Sequence, residues 1–277
     1  MSVSLPRISF LGAGSMGGAI LSGLLAKNLT SEVLVTNRSV ERAATISGDG
    51  VESIALANEP EGNLRAVRDA RVVVVGVKPQ GVADLLREIA PELSPGTLVV
   101  SVAAGVTIAS MEALLPESVA VARSMPNTPS TVGLGVTGLA FGDRVDAQQR
   151  EYAVTIFEAV GEVLVVDEAQ INPLSAYSGS GPAYVFFFIE QFVDSAIRNG
   201  FSKEDALTMV AGTFRGASEL LAASDADPAE LRRRVTSPKG TTERAIEVFA
   251  NGGLPELIDE AVAAAVARAE AIAATPN

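Results

Sequence analysis

The chain contains no cysteine, no histidine and no tryptophan among its 277 residues. Without cysteine it can form no disulfide and offers no thiolate, either as a nucleophile or as a metal ligand. Without histidine it lacks the most common general base and the most common zinc ligand, which excludes a Ser–His–Asp hydrolase. No acidic cluster in the sequence indicates a carboxylate site, so we expect no metal. The chemistry must therefore use hydroxyls, amides, lysine, carboxylates or a bound cofactor.

Positive charge is scarce as well, since 21 lysines and arginines stand against 33 acidic residues, a formal net charge of −12. Such a surface repels the phosphates of nucleic acids and anionic membranes, so we expect neither as a partner. The N-terminus lacks the charged region and the cleavage site of a signal peptide. The charge-free stretch 169–189 is interrupted by prolines and glycines and is no membrane span. These patterns predict a cytoplasmic protein.

Short β-branched runs alternate with helical stretches up to about residue 165. The runs, each expected to be a strand, are 7–12, 32–37, 72–77, 98–103, 119–123 and 162–167. Four consecutive valines at 72–75 indicate a strand buried on both faces, which is typical of a parallel sheet covered by helices. The alternation predicts an α/β fold, with a doubly wound Rossmann sheet over residues 1–165.

After Asp167 the patterns are helical. They cover residues 183–198, 203–223, 228–234, 243–250 and 254–274. A chain of this length favours two domains. We therefore expect a Rossmann domain over residues 1–165, followed by an all-helical domain over residues 166–277.

A glycine-rich turn follows the first predicted strand and opens a helix, which is the context that dinucleotide binding requires. Its residues, all expected to contact the cofactor, are Gly12, Ala13, Gly14, Ser15, Met16 and Gly17. The first glycine permits the tight turn, the second lets a diphosphate approach the backbone, and the third allows close packing of helix and strand. The diphosphate is expected at the N-terminus of the helix. The alternative is an ordinary glycine-bearing turn.

The end of the second strand predicts which nucleotide binds. An NAD site has an acidic residue there to accept from the ribose hydroxyl, whereas this chain has Asn37 and Arg38. A guanidinium suits the 2′-phosphate of NADP, and the hydrogen bond favours NADP by about ten- to a hundredfold. The alternative for Arg38 is a solvated loop residue.

Two further loops follow strands on the edge of the sheet where a nucleotide binds. We expect cofactor contacts from both loops, whose residues are Val77, Lys78 and Pro79 in one and Ala103, Ala104 and Gly105 in the other. The alternative is that Lys78 only caps the end of the strand. Asn63 precedes a helical run and is expected either to face the nucleotide or only to cap that helix.

Six motifs occur in the order seen in one enzyme family. They are FLGAGSMGGAI, GVKPQ, SVAAGV, RSMPNTP, SGSGPAY and VTSPKGTT, and they span the whole chain. In this the chain resembles pyrroline-5-carboxylate reductase, which reduces 1-pyrroline-5-carboxylate to L-proline with NAD(P)H. The resemblance implies NADPH as cofactor, with NADH as a second option. It also implies a homodimer formed through the helical domain, a site completed by the partner subunit, and in some members a pentamer of dimers.

The resemblance also assigns roles within residues 235–242, VTSPKGTT. It implies that the Ser237 hydroxyl and the N–H groups of Gly240 and Thr241 hold the substrate carboxylate, while the Thr242 hydroxyl binds the ring nitrogen and is the catalytic group. A helix N-terminus favours such an anion, and Gly240 is expected to take a positive φ that exposes its N–H. Lys239 stands where the family most often has glycine. A positive φ there would cost about 1 kcal/mol or more. From the spacing of its residues alone, the turn is equally consistent with a simple helix cap.

Three other functions remain open. A β-hydroxyacid dehydrogenase also joins a Rossmann domain to helices, but it uses a lysine on a central helix. The lysines after residue 165 are Lys203, in a predicted interhelical turn, and Lys239. The remaining alternatives are another imine reductase and a regulatory protein that senses NADP without turnover.

Overall fold

The computed structural model describes residues 5–30 and 32–273. By its internal contacts the chain divides into two compact units, Met1–Ser180 with Ala265–Asn277, and Gly181–Ala264. The domain boundary expected after residue 165 stays a prediction. Residue 274, at the end of the last predicted helix, lies outside the described residues.

The first unit contains one sheet of eight strands in the order β3-β2-β1-β4-β5-β6-β7-β8. The strands are β1 (Ile8–Leu11), β2 (Val33–Asn37), β3 (Val51–Ala55), β4 (Val72–Val75), β5 (Leu98–Ser101), β6 (Ala120–Met125), β7 (Gly135–Phe141) and β8 (Gly161–Val165). All neighbouring pairs are parallel except β6 with β7. The doubly wound α/β prediction is confirmed, and the order reverses between β1 and β4, where such sheets bind ligands.

All six predicted strands form, and β3 and β7 are additional. The valine strand β4 is buried on both faces, as expected. Val72 and Val74 pack into one hydrophobic cluster, and Val73 and Val75 pack into the other. None of the four valines has measurable exposure, so the sheet is covered by helices on each side.

Among the described residues, seven α-helices accompany this sheet. They are α1 (Ser15–Ala26), α2 (Val40–Ala44), α3 (Gly62–Val67), α4 (Val82–Ile89), α5 (Ile108–Glu112), α6 (Ala147–Glu158) and α7 (Glu168–Leu174). Helix α6 begins with a capping box formed by Asp146 and Gln149. Helix α7 packs against β6 and β7 and continues into a π-helical turn, Ser175–Gly179.

The remaining elements are helical, as predicted. They are α8 (Gly181–Arg198), α9 (Lys203–Ala222), α10 (Pro228–Arg234), α11 (Thr241–Asn251) and α12 (Leu254–Ala273). In the second unit α8 packs against α9, and the rings of Phe192 and Phe214 meet edge to face, 5.9 Å between centroids. The described residues include no helix that is both long and apolar enough to cross a membrane.

Candidate active site

The glycine-rich turn has the backbone that its sequence predicts. Gly12 adopts a φ of +81°, and a Cβ there would lie 2.8 Å from Val77 Cγ1. Its N–H donates to Thr36 O at 2.9 Å, and Gly14 N–H donates to Gly12 O at 2.8 Å. Glycine at position 12 is therefore required both by conformation and by the close approach of the loop after β4.

The second glycine of this turn faces open space. A Cβ on Gly14 would meet no heavy atom of the described residues within 4 Å. A Cβ on Gly17 would meet Ala13 Cβ at 3.6 Å and Phe10 Cδ1 of β1 at 3.9 Å, so helix and strand lie close together here, although both distances are ordinary contacts. Helix α1 has no side-chain cap and no acidic residue in its first turn. Its first N–H groups find no acceptor in the described part of the chain, which suits a diphosphate.

The end of β2 provides polar donors without an acidic residue on the strand. Asn37 is buried, and its Nδ2 meets no acceptor among the described residues. Arg38 is exposed. Arg42, which the sequence interpretation missed, donates from Nε to Ala13 O at 3.3 Å. Arg38 and Arg42 both belong to residues 37–42, and the contact of Arg42 with Ala13 brings this segment against the glycine-rich turn.

The two predicted cofactor loops follow β4 and β5. Lys78 is exposed and precedes the short 3₁₀ helix Pro79–Gly81. Ala103 is buried and Ala104 is exposed. Gly105 has a φ of +77°, and a Cβ there would lie 2.9 Å from Ile272 Cγ2. The end of α12 thus lies against Gly105, a contact between residues far apart in the sequence.

Asn63 does not cap its helix, so the capping expectation is wrong. Glu61 is the N-cap residue of α3, and Asn63 lies inside the first turn. Its side chain is buried, accepts from Thr36 Oγ1 at 2.7 Å and donates to Glu88 Oε1 at 3.2 Å. Asn63 therefore connects β2 to α4 beneath the expected nucleotide site.

A buried arginine missed in the sequence supports the loop that follows Gly105. Arg123 is 3% exposed; it lies 3.3 Å from Glu168 Oε1 and donates to Asn172 Oδ1 at 2.7 Å. The same Glu168 oxygen accepts from Ile108 N at 2.7 Å. Charge-assisted hydrogen bonds of this kind fix the backbone of the loop relative to β6 and α7.

Asn127, in the motif RSMPNTP, holds the π-helical turn. Its Nδ2 donates to Ser178 O at 3.1 Å, and its Oδ1 accepts from Val136 N at 2.8 Å. The Ser178 hydroxyl donates to Val136 O at 3.2 Å. Isolated π-turns are frequent at functional sites, and here polar side chains from two motifs stabilise one.

In the second unit, residues 237–240 form a tight turn immediately before α11. Pro238 occupies its second position, and Lys239 takes a φ of +61°. Gly240 has a φ of −82°, and its N–H donates to Ser237 O at 3.0 Å. The expectation of a positive φ at Gly240 is wrong, because proline at the second position of a type II turn places the positive φ on the third.

Lys239 therefore occupies a conformation that glycine would adopt without strain. Such a conformation costs a side-chain-bearing residue about 1–2 kcal/mol. The Lys239 N–H donates to Glu243 Oε2 at 2.7 Å, which holds the turn against the first turn of α11. Backbone strain of this kind persists where the surrounding structure determines it.

Several polar groups of this turn have no hydrogen-bond partner among the described residues. Thr236 Oγ1 donates to Arg232 O at 2.6 Å, whereas the hydroxyls of Ser237, Thr241 and Thr242 make no hydrogen bond among the described residues. Gly240 caps α11 without a side-chain bond, and the first N–H groups of the helix also find no acceptor in residues 5–30 and 32–273. Hydroxyl and amide donors at a helix N-terminus can bind a carboxylate.

Three consecutive arginines, Arg232, Arg233 and Arg234, end α10 just before this turn. Two of them, Arg233 and Arg234, donate to Glu230, and these hydrogen bonds lower the pKa of the Glu230 carboxyl. The described residues contain no group of three or more metal-binding side chains. The hydroxyl and amide donors of the turn before α11 can bind an anion and so orient a substrate.

The sequence matches two family models. The model described as "NADP oxidoreductase coenzyme F420-dependent" covers residues 7–105, and the model described as "Pyrroline-5-carboxylate reductase dimerisation" covers residues 168–272. The chain is 41% identical over 273 residues to the pyrroline-5-carboxylate reductase of Pseudomonas aeruginosa, covering 98% of each chain. It is 32% identical to the enzyme of Escherichia coli, covering 95% of this chain and 97% of that one.

Solved structures give the same result. A pyrroline-5-carboxylate reductase from Coxiella burnetii superposes with a TM-score of 0.90 at 37% identity, covering 98% of this chain and 99% of that one. The pyrroline carboxylate reductase of Plasmodium falciparum, solved with NADP bound, superposes with a TM-score of 0.83 at 26% identity, covering 98% and 100%. From its sequence and its fold, the chain belongs to the pyrroline-5-carboxylate reductase family.

Proposed function

We propose that the chain reduces 1-pyrroline-5-carboxylate to L-proline with NADPH, the last step of proline synthesis. The observation that carries this proposal is the turn before α11, whose Ser237, Thr241 and Thr242 hydroxyls and first helical N–H groups have no partner among the described residues. The similarity over the full length to pyrroline-5-carboxylate reductases supports the same substrate. NADH is a second, weaker cofactor in this proposal.

The residues of the first unit fit a dinucleotide. A Cβ on Gly14 would enter open space, and Asn37 Nδ2 is a buried donor without an acceptor in the described residues. We assign the cofactor to the predicted residues, which are Gly12, Ala13, Gly14, Ser15, Met16, Gly17, Asn37, Arg38, Asn63, Val77, Lys78, Pro79, Ala103, Ala104 and Gly105. When bound, NADPH supplies the hydride.

We assign the substrate carboxylate to Ser237, Gly240 and Thr241, and the ring nitrogen to the Thr242 hydroxyl. Gly240 N–H already donates to Ser237 O, so its hydrogen would be shared with the carboxylate. With no histidine in the chain, the imine binds protonated or takes its proton from water or from Thr242. Positioning then contributes more to the rate than acid catalysis.

The direct test of this function is the oxidation of NADPH by the purified chain with and without pyrroline-5-carboxylate. We expect oxidation that depends on the substrate and yields proline in equal amount. A chain that binds NADPH but oxidises it at the same rate with and without the imine would support the sensing alternative. Oxidation of NADPH driven by a 3-oxo acid, which is reduced to the 3-hydroxy acid, would support the dehydrogenase alternative, against which Lys203 already counts because it begins α9.

Replacing Arg38 by alanine should raise the KM for NADPH about tenfold or more and leave the KM for NADH nearly unchanged. The reason is the loss of a charge-assisted hydrogen bond to the 2′-phosphate. Steady-state kinetics with both cofactors measure the ratio. An unchanged ratio would show that Arg38 is only a solvated residue.

Replacing Thr242 by valine should lower kcat about ten- to a hundredfold while the dissociation constant of NADPH stays within about twofold. Valine keeps the shape and removes the hydroxyl that we assign to the ring nitrogen. Thr236→Val is the matched control, because the Thr236 hydroxyl donates to Arg232 O within the protein. Equal losses in turnover and in NADPH binding would mean that Thr242 only supports the fold.

We further propose that the chain is a homodimer whose partner subunit completes each site. The match of residues 168–272 to a dimerisation family supports self-association. Within the second unit, Phe186 and Phe187 on α8 are 66% and 58% exposed, an apolar surface that association would bury. A pentamer of dimers, a cytoplasmic location and the absence of nucleic-acid partners stay predictions.

A further inference from the structure

We propose that Arg42 is a second determinant of cofactor choice, binding the 2′-phosphate of NADP(H) together with Arg38. This inference rests on the proposed NADPH-dependent function and extends it to a residue outside every motif used above. It concerns the adenosine end of the cofactor, where NADP and NAD differ by one phosphate.

The first observation is where the guanidinium of Arg42 lies. The residue belongs to α2, whose N-cap Ser39 accepts from Arg42 N at 3.3 Å. The side chain crosses to the glycine-rich turn, where Nε donates to Ala13 O at 3.3 Å and Nη2 lies 3.9 Å from the position of a Cβ on Gly18. The helix after β2 is thereby tied to the helix N-terminus that receives the diphosphate.

The contact with Ala13 uses only one of the five N–H donors of the guanidinium. In the part of the chain that the structure describes, no carboxylate forms an ion pair with Arg42. The two terminal nitrogens are therefore available as a planar fork, the arrangement that matches phosphate oxygens. One edge of the side chain fixes its position, and the other can bind a ligand.

A second, independent observation lies on the same stretch. Asn37, at the end of β2, is 4% exposed, and its Nδ2 has no acceptor among the described residues. Buried donors normally have partners, so this one indicates an acceptor that a ligand supplies. Within six residues the chain thus presents an unpartnered buried amide and two arginines, Arg38 and Arg42. An adenosine ribose carrying a phosphate provides acceptors for all three.

One opposing charge belongs to the same stretch of chain. The Glu41 carboxylate, on α2, accepts hydrogen bonds from its own backbone N–H and from the Ser39 hydroxyl, which lower its pKa and keep it ionised. A single arginine would only balance this charge. With both Arg38 and Arg42 the local sum is positive, in a chain whose net charge is −12. The second arginine is what makes the place attractive to a phosphate dianion.

The test compares NADP⁺ with NAD⁺ by isothermal titration calorimetry on the full chain, which requires no turnover. Arg42→Ala should weaken NADP⁺ about tenfold and leave NAD⁺ within about twofold. Arg42→Lys keeps the charge but loses the fork, so its affinity for NADP⁺ should lie between those of the wild type and Arg42→Ala. The matched control is Arg71→Ala, because Arg71 also donates to a backbone carbonyl, that of Pro95, but immediately precedes β4 at the opposite end of the strands.

The outcomes separate the two levels of the proposal. If Arg42→Ala and Arg42→Lys weaken both cofactors equally, the residue only supports the turn through Ala13, and the inference is overturned. If neither cofactor is affected, Arg42 makes no contact and the inference is equally overturned. A wild-type chain that binds NADP⁺ no more tightly than NAD⁺ would contradict the NADP preference itself. A wild-type preference that survives in both variants would overturn only the role of Arg42.

Discussion

Replacing Gly240 by alanine should lower kcat/KM for pyrroline-5-carboxylate about 100-fold while the protein remains folded. A Cβ at this position would lie 2.5 Å from Ser237 Oγ and 2.9 Å from Ser237 O. The second of these atoms is backbone, so the turn itself must open. The Ser237 hydroxyl and Thr241 N–H would then leave the positions that we assign to the substrate carboxylate. Steady-state kinetics at saturating NADPH measure the loss, and circular dichroism monitors the fold.

The neighbouring variant Lys239→Gly is the control for the turn. It removes the strain of a positive φ, so the free energy of unfolding should rise by about 1 kcal/mol. The geometry of the turn is kept, and kcat/KM should stay within a few-fold of the wild type. If Gly240→Ala has wild-type kcat/KM, the turn before α11 does not bind the substrate.

Replacing Gly14 by alanine should raise the dissociation constant of NADPH about 100-fold without changing the free energy of unfolding. Gly14 has a φ of −67° and a ψ of −160°, which alanine adopts without strain, and a Cβ there would meet no atom within 4 Å in the part of the chain that the structure describes. The only cost of the methyl group is therefore the space it takes from the diphosphate. Calorimetry measures the dissociation constant of NADPH, and thermal unfolding measures the stability.

Gly18→Ala, inside the helix that Gly14 precedes, provides the matched control. A Cβ on Gly18 would make one ordinary contact, at 3.9 Å from Arg42 Nη2, and alanine is the better helix former. NADPH should bind this variant with nearly wild-type affinity. An equally tight complex with Gly14→Ala would place the diphosphate elsewhere, and a parallel loss of stability would make Gly14 a structural residue.

The strands that the sequence predicts are those with a strong local pattern. Six β-branched runs all become strands, because runs such as 72–75 suit only a strand buried on both faces. Strand β3 was missed because it is a sheet edge, where Glu52 and Ser53 interrupt the apolar pattern and Ile54 alone is fully buried. Strand β7 was missed because it contains Gly138, whose lack of a side chain leaves room for Leu174 of α7.

In the candidate site, too, local features can be predicted from the sequence, whereas contacts between distant residues cannot. The positive φ of Gly12 is predictable, because a glycine that joins a strand to a helix is a local feature. The contacts of Asn63, Arg42 and Arg123 join residues at least 25 positions apart, and no local pattern reports them. In the substrate turn the positive φ falls on Lys239 and not on Gly240. That result follows from the place of Pro238 in the turn, which is a local rule that the sequence interpretation did not apply.

The proposed reaction is hydride transfer from NADPH to the imine carbon of pyrroline-5-carboxylate. The most direct measurement uses NADPH carrying deuterium at both positions of nicotinamide C4, with mass spectrometry of the product. We predict proline with one deuterium at C5, formed in equal amount to the NADPH oxidised. Proline without deuterium, or oxidation of NADPH without any proline, would contradict the proposed function.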